Sequence, residues 1–105
     1  MDKRQTLTRN EALELVRKYK QVIRPRFSIE PKVMMYGSYS KGFQKPESDI
    51  DVAVIVPQIN GDWLTVSTDL WLDVDKVNSL IEPVLLEENC HSPLYDDVMR
   101  TGVLV

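Results

Sequence analysis

Asp49 and Asp51 stand two residues apart at the head of the run Ile50-Asp51-Val52-Ala53-Val54-Ile55-Val56. In a strand, alternation sends both carboxylates to one face, roughly 6 to 7 Å apart along the backbone. Two like charges at the lip of an otherwise apolar strand repel, and hard oxygen donors of this kind suit Mg²⁺ or Mn²⁺. Alone, the pair also reads as the solvated polar end of a strand. Upstream, Gly37-Ser38 closes the apolar run Val33-Met34-Met35-Tyr36. Glycine permits close approach, and backbone N–H groups with a hydroxyl in such a turn receive phosphate oxygens. Alone, this pair reads equally as a turn glycine with a capping serine. Ten residues separate Ser38 from Asp49, a spacing that lets an anion cradle and a metal lip share one end of two adjacent strands. The conjunction points to a phosphate-and-metal site.

The elements that must position these groups follow from periodicity. Thr8-Arg9-Asn10-Glu11 fits a capping box, and Ala12, Val16, Tyr19 and Ile23 recur at helical spacing, so residues 8–24 read as an amphipathic helix stopped by Pro25. Val33–Tyr36 reads as a buried strand. In the following strand, Ile50, Val52, Val54 and Val56 share one face and Asp51, Ala53 and Ile55 the other. It is apolar on both sides beyond its start and is expected to be central. After the turn at residues 57–62, Trp63, Val66, Leu70, Trp71, Val74 and Val77 predict a helix to residue 77 with both tryptophans in the core. Asp73 and Asp75 on that helix are expected to face solvent. Leu80–Leu86 reads as a third strand, placed by Pro83 at an edge or bulge. Ser92, Pro93 and Gly102 frame a last helix, after which Val103–Val105 can rejoin the sheet. The fold class expected is a small α/β or α+β layer: a mixed sheet of three to four strands with helices packed on it.

Composition narrows the chemistry. A chain of 105 residues, 43% hydrophobic and 28% charged, fills one core, so residues 1–105 are expected to form a single domain. The longest apolar run, Val52–Val56, is five residues, far short of the roughly 20 that a spanning helix needs. With no apolar leader after Met1-Asp2-Lys3-Arg4-Gln5-Thr6, a cytoplasmic protein is expected. Cys90 and His91 are the sole residues of their types, which removes an internal disulfide and a thiolate metal cluster, and adjacent partners make a poor Cys-His catalytic pair. Net charge is −3, but residues 1–32 carry nine Lys/Arg against four acids, while residues 47–97 carry twelve acids against Lys76 alone. The basic part reads first as a solvated helix face; the acidic part needs metal, a cationic partner or water.

Gly37-Ser38, ten intervening residues, then Asp49-x-Asp51 resembles the signature of the DNA polymerase β-type nucleotidyltransferase superfamily. The match is closer to its smallest branch, the minimal nucleotidyltransferase domain. That likeness is carried by the leading helix, Tyr36-Gly37-Ser38-Tyr39-Ser40-Lys41-Gly42, the strand from Ser48 to Val56, and Ile81-Glu82-Pro83-Val84-Leu85-Leu86. It covers nearly the whole chain. The resemblance implies an NTP substrate, two Mg²⁺ ions (Mn²⁺ as an alternative), and transfer of a nucleoside monophosphate to an acceptor hydroxyl. It assigns nucleotide binding to Gly37, Ser38 and Lys41, and metal binding and catalysis to Asp49 and Asp51. The family usually carries a third carboxylate on the next strand. Counting four residues back from Glu82 of the Ile-Glu-Pro block finds Asn78, whose carbonyl coordinates without charge and which cannot act as a base. Glu82, of the same strand parity, is the remaining candidate for a metal ligand.

Proteins resembling this branch include antitoxins paired with HEPN-type ribonuclease toxins, and some adenylylate a toxin tyrosine. The resemblance therefore implies transfer of AMP from ATP to a hydroxyl of a HEPN-type protein partner. The alternative is an antitoxin or nucleotide-binding module of the same fold that neutralises its partner by contact, with turnover lost through Asn78. Negative net charge and the absence of a basic extension argue against nucleic acid as acceptor.

Overall fold

In the computed structural model, which describes residues 6–105, the chain starts with Thr8 capping helix α1 (Arg9–Ile23). Thr8 Oγ1 accepts from the Glu11 N–H at 3.0 Å and the Thr8 N–H donates to Glu11 Oε1 at 2.8 Å, the reciprocal pair that the sequence predicts. Pro25 ends the helix in one 3₁₀ turn, Arg24–Arg26. The reading of the first five residues as lacking a leader falls outside the described residues. Beyond Pro31 the chain alternates β1 (Lys32–Tyr36), a single turn α2 (Ser38–Lys41), β2 (Ile50–Val56), α3 (Trp63–Val74), β3 (Ile81–Glu87), α4 (Pro93–Thr101) and β4 (Val103–Leu104).

The four strands form one mixed sheet in the order β3-β2-β1-β4. β1 runs antiparallel to β2 and β4, while β2 and β3, joined through α3, are parallel. β2 is interior, as its two apolar faces require, and β3 is an edge strand, where Pro83 is tolerated. One sheet face (Val33, Met35, Ile50, Val52, Val54, Ile81 and Leu85) packs beneath α1 and α3 through Ala12, Val16, Tyr19, Ile23, Leu70 and Val74. The Tyr19 hydroxyl, buried in this layer, donates to the Leu70 carbonyl at 2.6 Å and ties the two helices together. The other face (Met34, Ala53 and Ile55) packs beneath Tyr95 and Val98 of α4. No helix among the described residues is long and apolar enough to cross a membrane.

Two expectations about α3 are corrected. Trp63 and Trp71 are not core residues: they are 51% and 46% exposed. One arc of the helix meets the sheet, and Leu70 and Val74 fill it; Trp71, one step past Leu70, is rotated about 100° away. Asp73, expected to face solvent, is buried. It follows Leu70 by three residues and therefore lies on the inward arc, where Arg26 grips it with Nε at 2.5 Å and Nη2 at 2.9 Å and Lys76 approaches to 3.0 Å. This pairing holds the Asp73 carboxyl below the usual carboxylate range despite its burial. Asp75, by contrast, is exposed as expected.

Candidate active site

β1 delivers the chain to Gly37, whose backbone sits at φ +74°, ψ −150°, a region L side chains rarely adopt. The position is closed to other residues for a second reason: a Cβ built on Gly37 would lie 2.2 Å from Asp51 Oδ2. Glycine is therefore what lets the loop backbone lie against the Asp51 carboxylate. Ser38 begins α2, whose single turn is pinned by Ser40 Oγ donating to the Gly37 carbonyl at 2.9 Å and by the Lys41 N–H reaching the same carbonyl at 3.2 Å. Gly42 closes the turn in the left-handed region, and Lys41 stands exposed on it. The buried ring of Tyr39 anchors the turn in the core below α1.

Strand register assembles the acidic part. Tyr36 pairs with Asp51 across the antiparallel β1–β2 ladder, and Asp51 pairs with Glu82 across the parallel β2–β3 ladder. Paired residues project to the same face, so Tyr36, Asp51 and Glu82 form a row over three neighbouring strands, which are about 4.8 Å apart. Asp49 precedes β2 by one residue and shares the parity of Asp51. Glu82 has a raised pKa, first through hydrogen bonding with its neighbour Asp49 and then through burial and the charges of Asp49 and Asp51. Burial, then the charge of Asp49, raises Asp51 as well. Tyr36 is pushed up to about 12, first by burial and then by the carboxylates of Asp51, Glu82 and Asp97. None of Asp49, Asp51 and Glu82 takes part in an ion pair among the described residues.

Asn78 lies off this row. It sits in the turn after α3, where its Oδ1 accepts from the Leu80 N–H at 2.8 Å and its carbonyl accepts from the Ile81 N–H at 3.2 Å. The chain enters the sheet only at Ile81, so the β3 residue in register with Asp51 is Glu82. Tyr36 and Asp97 are members of the site's surroundings that the sequence reading missed. Tyr36 was accessible from its parity; Asp97 arrives from α4 and has no local signal.

The donor set suits a hard divalent cation: three neighbouring carboxyl groups that have no ion-pair partner among the described residues. Among the described residues no three acidic, histidine or cysteine side chains converge on one metal position. A Mg²⁺ ion held here would take one or two carboxylates from the protein and the rest of its oxygens from phosphate or water. A cleft of about 390 Å³ opens elsewhere, between residues 26–29 and 56–60 at the far end of β2. The Arg26 in its wall is already engaged by Asp73 and Asp69, and the rest of that lining is largely apolar. Cys90 is exposed, and His91 is stacked on Tyr95 with ring centroids 4.6 Å apart.

A glycine-serine turn laid against paired aspartates at one end of a mixed sheet is the architecture of the polymerase β-type nucleotidyltransferases, in their minimal form. The chain belongs to the nucleotidyltransferase domain family, whose model matches residues 16–97. It is 27% identical over 86 residues to a candidate protein adenylyltransferase of Methanocaldococcus jannaschii, covering 82% of this chain and 85% of that one. Its fold is similar to that of a candidate nucleotidyltransferase from Sulfolobus solfataricus, with a TM-score of 0.66, 18% identity, and coverage of 91% of this chain and 80% of the other. It is also similar to a chain in a toxin-antitoxin structure with AMP-PNP, with a TM-score of 0.56, 22% identity, and coverage of 93% and 72%.

Proposed function

We propose that residues 1–105 act as one Mg²⁺-dependent transferase domain that moves AMP from ATP to a hydroxyl of a protein partner, in the cytoplasm, as the antitoxin of a HEPN-type toxin. The observation that carries this reading is the contact of Gly37 with the Asp51 carboxylate, in register with Glu82. It brings an anion-accepting turn and a set of hard oxygen donors to one rim. The relative of M. jannaschii, named for protein adenylylation, supports the acceptor class. The toxin-antitoxin structure with AMP-PNP supports the partner and the nucleotide.

In this reading the backbone N–H groups at Gly37 and Ser38, with the Ser38 hydroxyl, hold the β- and γ-phosphates, and Lys41 screens their charge. Asp49, Asp51 and Glu82 hold the divalent ions. When bound, two such ions neutralise the attacking and leaving oxygens of an in-line displacement. The acceptor oxygen bonds to the α-phosphorus, the bridging oxygen leaves with pyrophosphate, and the acceptor's proton passes to solvent water. The protein's contribution is orientation and a fixed array of charges.

The test is direct. The chain is incubated with α-labelled ATP, Mg²⁺ and the protein encoded beside it. Label on that protein that is lost in Asp49→Ala and Asp51→Ala supports the transferase; binding and neutralisation without label would refute it.

A further inference from the structure

We infer that the outer face of α3 is a docking surface for an amphipathic helix of another protein, one that carries an aliphatic stripe with Lys or Arg at both ends. The inference rests on this face alone and stands whether or not the chain transfers nucleotide. Trp63, Leu64, Trp71 and Leu72 are 51%, 64%, 46% and 63% exposed. They fall in two adjacent rows of the helix, Trp63-Ser67-Trp71 and Leu64-Thr68-Leu72, each large, small, large. Leu64, Ser67, Thr68 and Trp71 have the spacing i, i+3, i+4, i+7, the outline of a hole that receives one knob from a facing helix. Its floor is made of the two small residues. The Thr68 hydroxyl is already used, donating to the Leu64 carbonyl at 2.7 Å.

Charge selects the occupant. Asp69 and Asp73 on the flank of α3 are neutralised by Arg26 and Lys76. Asp62 and Asp75, at the two ends of the stripe, have no ion-pair partner among the described residues. The Asp62 carboxylate accepts from the Thr65 N–H and hydroxyl at the helix start, both at 3.1 Å. A second copy packed through a two-fold axis would lay Asp62 of one chain beside Asp75 of the other at both ends, a like-charge clash. A helix with basic ends meets both charges and fills the hole with a Leu or Ile.

The chain's two tryptophans both lie on this face, so their fluorescence reports on it alone. The full chain is titrated with three synthetic helices of about three heptads. The first has a Leu stripe and Lys ends, the second the same stripe with Glu ends, and the third Lys ends with the stripe changed to Ser. The first should shift the emission to the blue and bind about tenfold or more tightly than either of the others. Leu72→Glu and Leu64→Glu, both surface changes checked for fold by circular dichroism, should each weaken it by a similar factor. Equal binding of Lys-ended and Glu-ended helices, equal binding of the Ser-stripe helix, or no binding would overturn the inference. So would a dimer of the chain alone that Leu72→Glu converts to monomer.

Discussion

Asp51 on β2 is paired with Glu82 on β3 in the parallel register, so two carboxyl groups face the same side of the sheet on adjacent strands. A third, Asp49, neighbours both and raises the pKa of each. Among the described residues no cation pairs with them, which makes the row a source of instability that a ligand relieves.

The pH dependence of stability follows from this crowding. A carboxyl whose pKa is raised in the folded state binds its proton more tightly there than in the unfolded chain. Its contribution is therefore present at low pH and lost as pH rises through its folded-state value. Glu82→Gln, which keeps a hydrogen-bond donor beside Asp49 and removes a charge, should melt at a higher temperature than the parent at pH 7. The gain should shrink as pH falls below the carboxylate range. Thermal scans of the two proteins across pH 3.5 to 8 check it, in steps of about half a unit around the carboxylate range.

Relief by metal follows the same linkage. Mg²⁺ with ATP should raise the melting temperature of the parent at neutral pH, by about 2.7 kcal/mol of stability at a hundredfold excess over Kd. The stabilisation should disappear at acidic pH and in Asp51→Asn. Differential scanning fluorimetry across pH and magnesium concentration measures this.

Gly37→Ala places a methyl group where the Asp51 carboxylate now sits, in a backbone region that alanine resists. The expected costs are about 1 to 3 kcal/mol of stability and a loss of at least about 100-fold in labelling activity from displaced reactive groups. Denaturant unfolding and the labelling assay separate the two effects.

Asp73→Ala strips the buried partner from Arg26 and Lys76, far from the acidic row. Loss of one member of such a pair costs about 3 kcal/mol, and Arg26's partial exposure to water argues for the lower end of such effects. Because Asp73 is held below its ordinary pKa, its contribution is present at neutral pH and lost as pH falls through that lowered value. The destabilisation seen in urea unfolding at pH 7 should therefore narrow in acid, while labelling per folded molecule stays near the parent's.

Much of this architecture is written locally. β2 declares itself central because apolar residues occupy both of its faces, and the capping box and Pro25 delimit α1. The turn from Gly37 into a helical start needed only the residue types. What failed depends on tertiary fit. α3 carries more apolar residues than one sheet-facing arc can cover, so periodicity could not say that Leu70 and Val74 would be buried and the tryptophans left outside. Asp73 sits on the inward arc because Arg26, 47 residues away in sequence, waits there. The register of Glu82 depended on where the turn after α3 ends. Asn78's hydrogen bonds to Leu80 and Ile81 decide that, and strand parity alone does not reveal them.

The account turns on one rim where phosphate and carboxylates meet through divalent ions, and calorimetric titration of ATP with and without Mg²⁺ tests it most directly. Binding that requires Mg²⁺ and is abolished in the folded double variant Asp49→Asn/Asp51→Asn is the result expected. ATP uptake that ignores Mg²⁺, or that persists unchanged in the double variant, would contradict it.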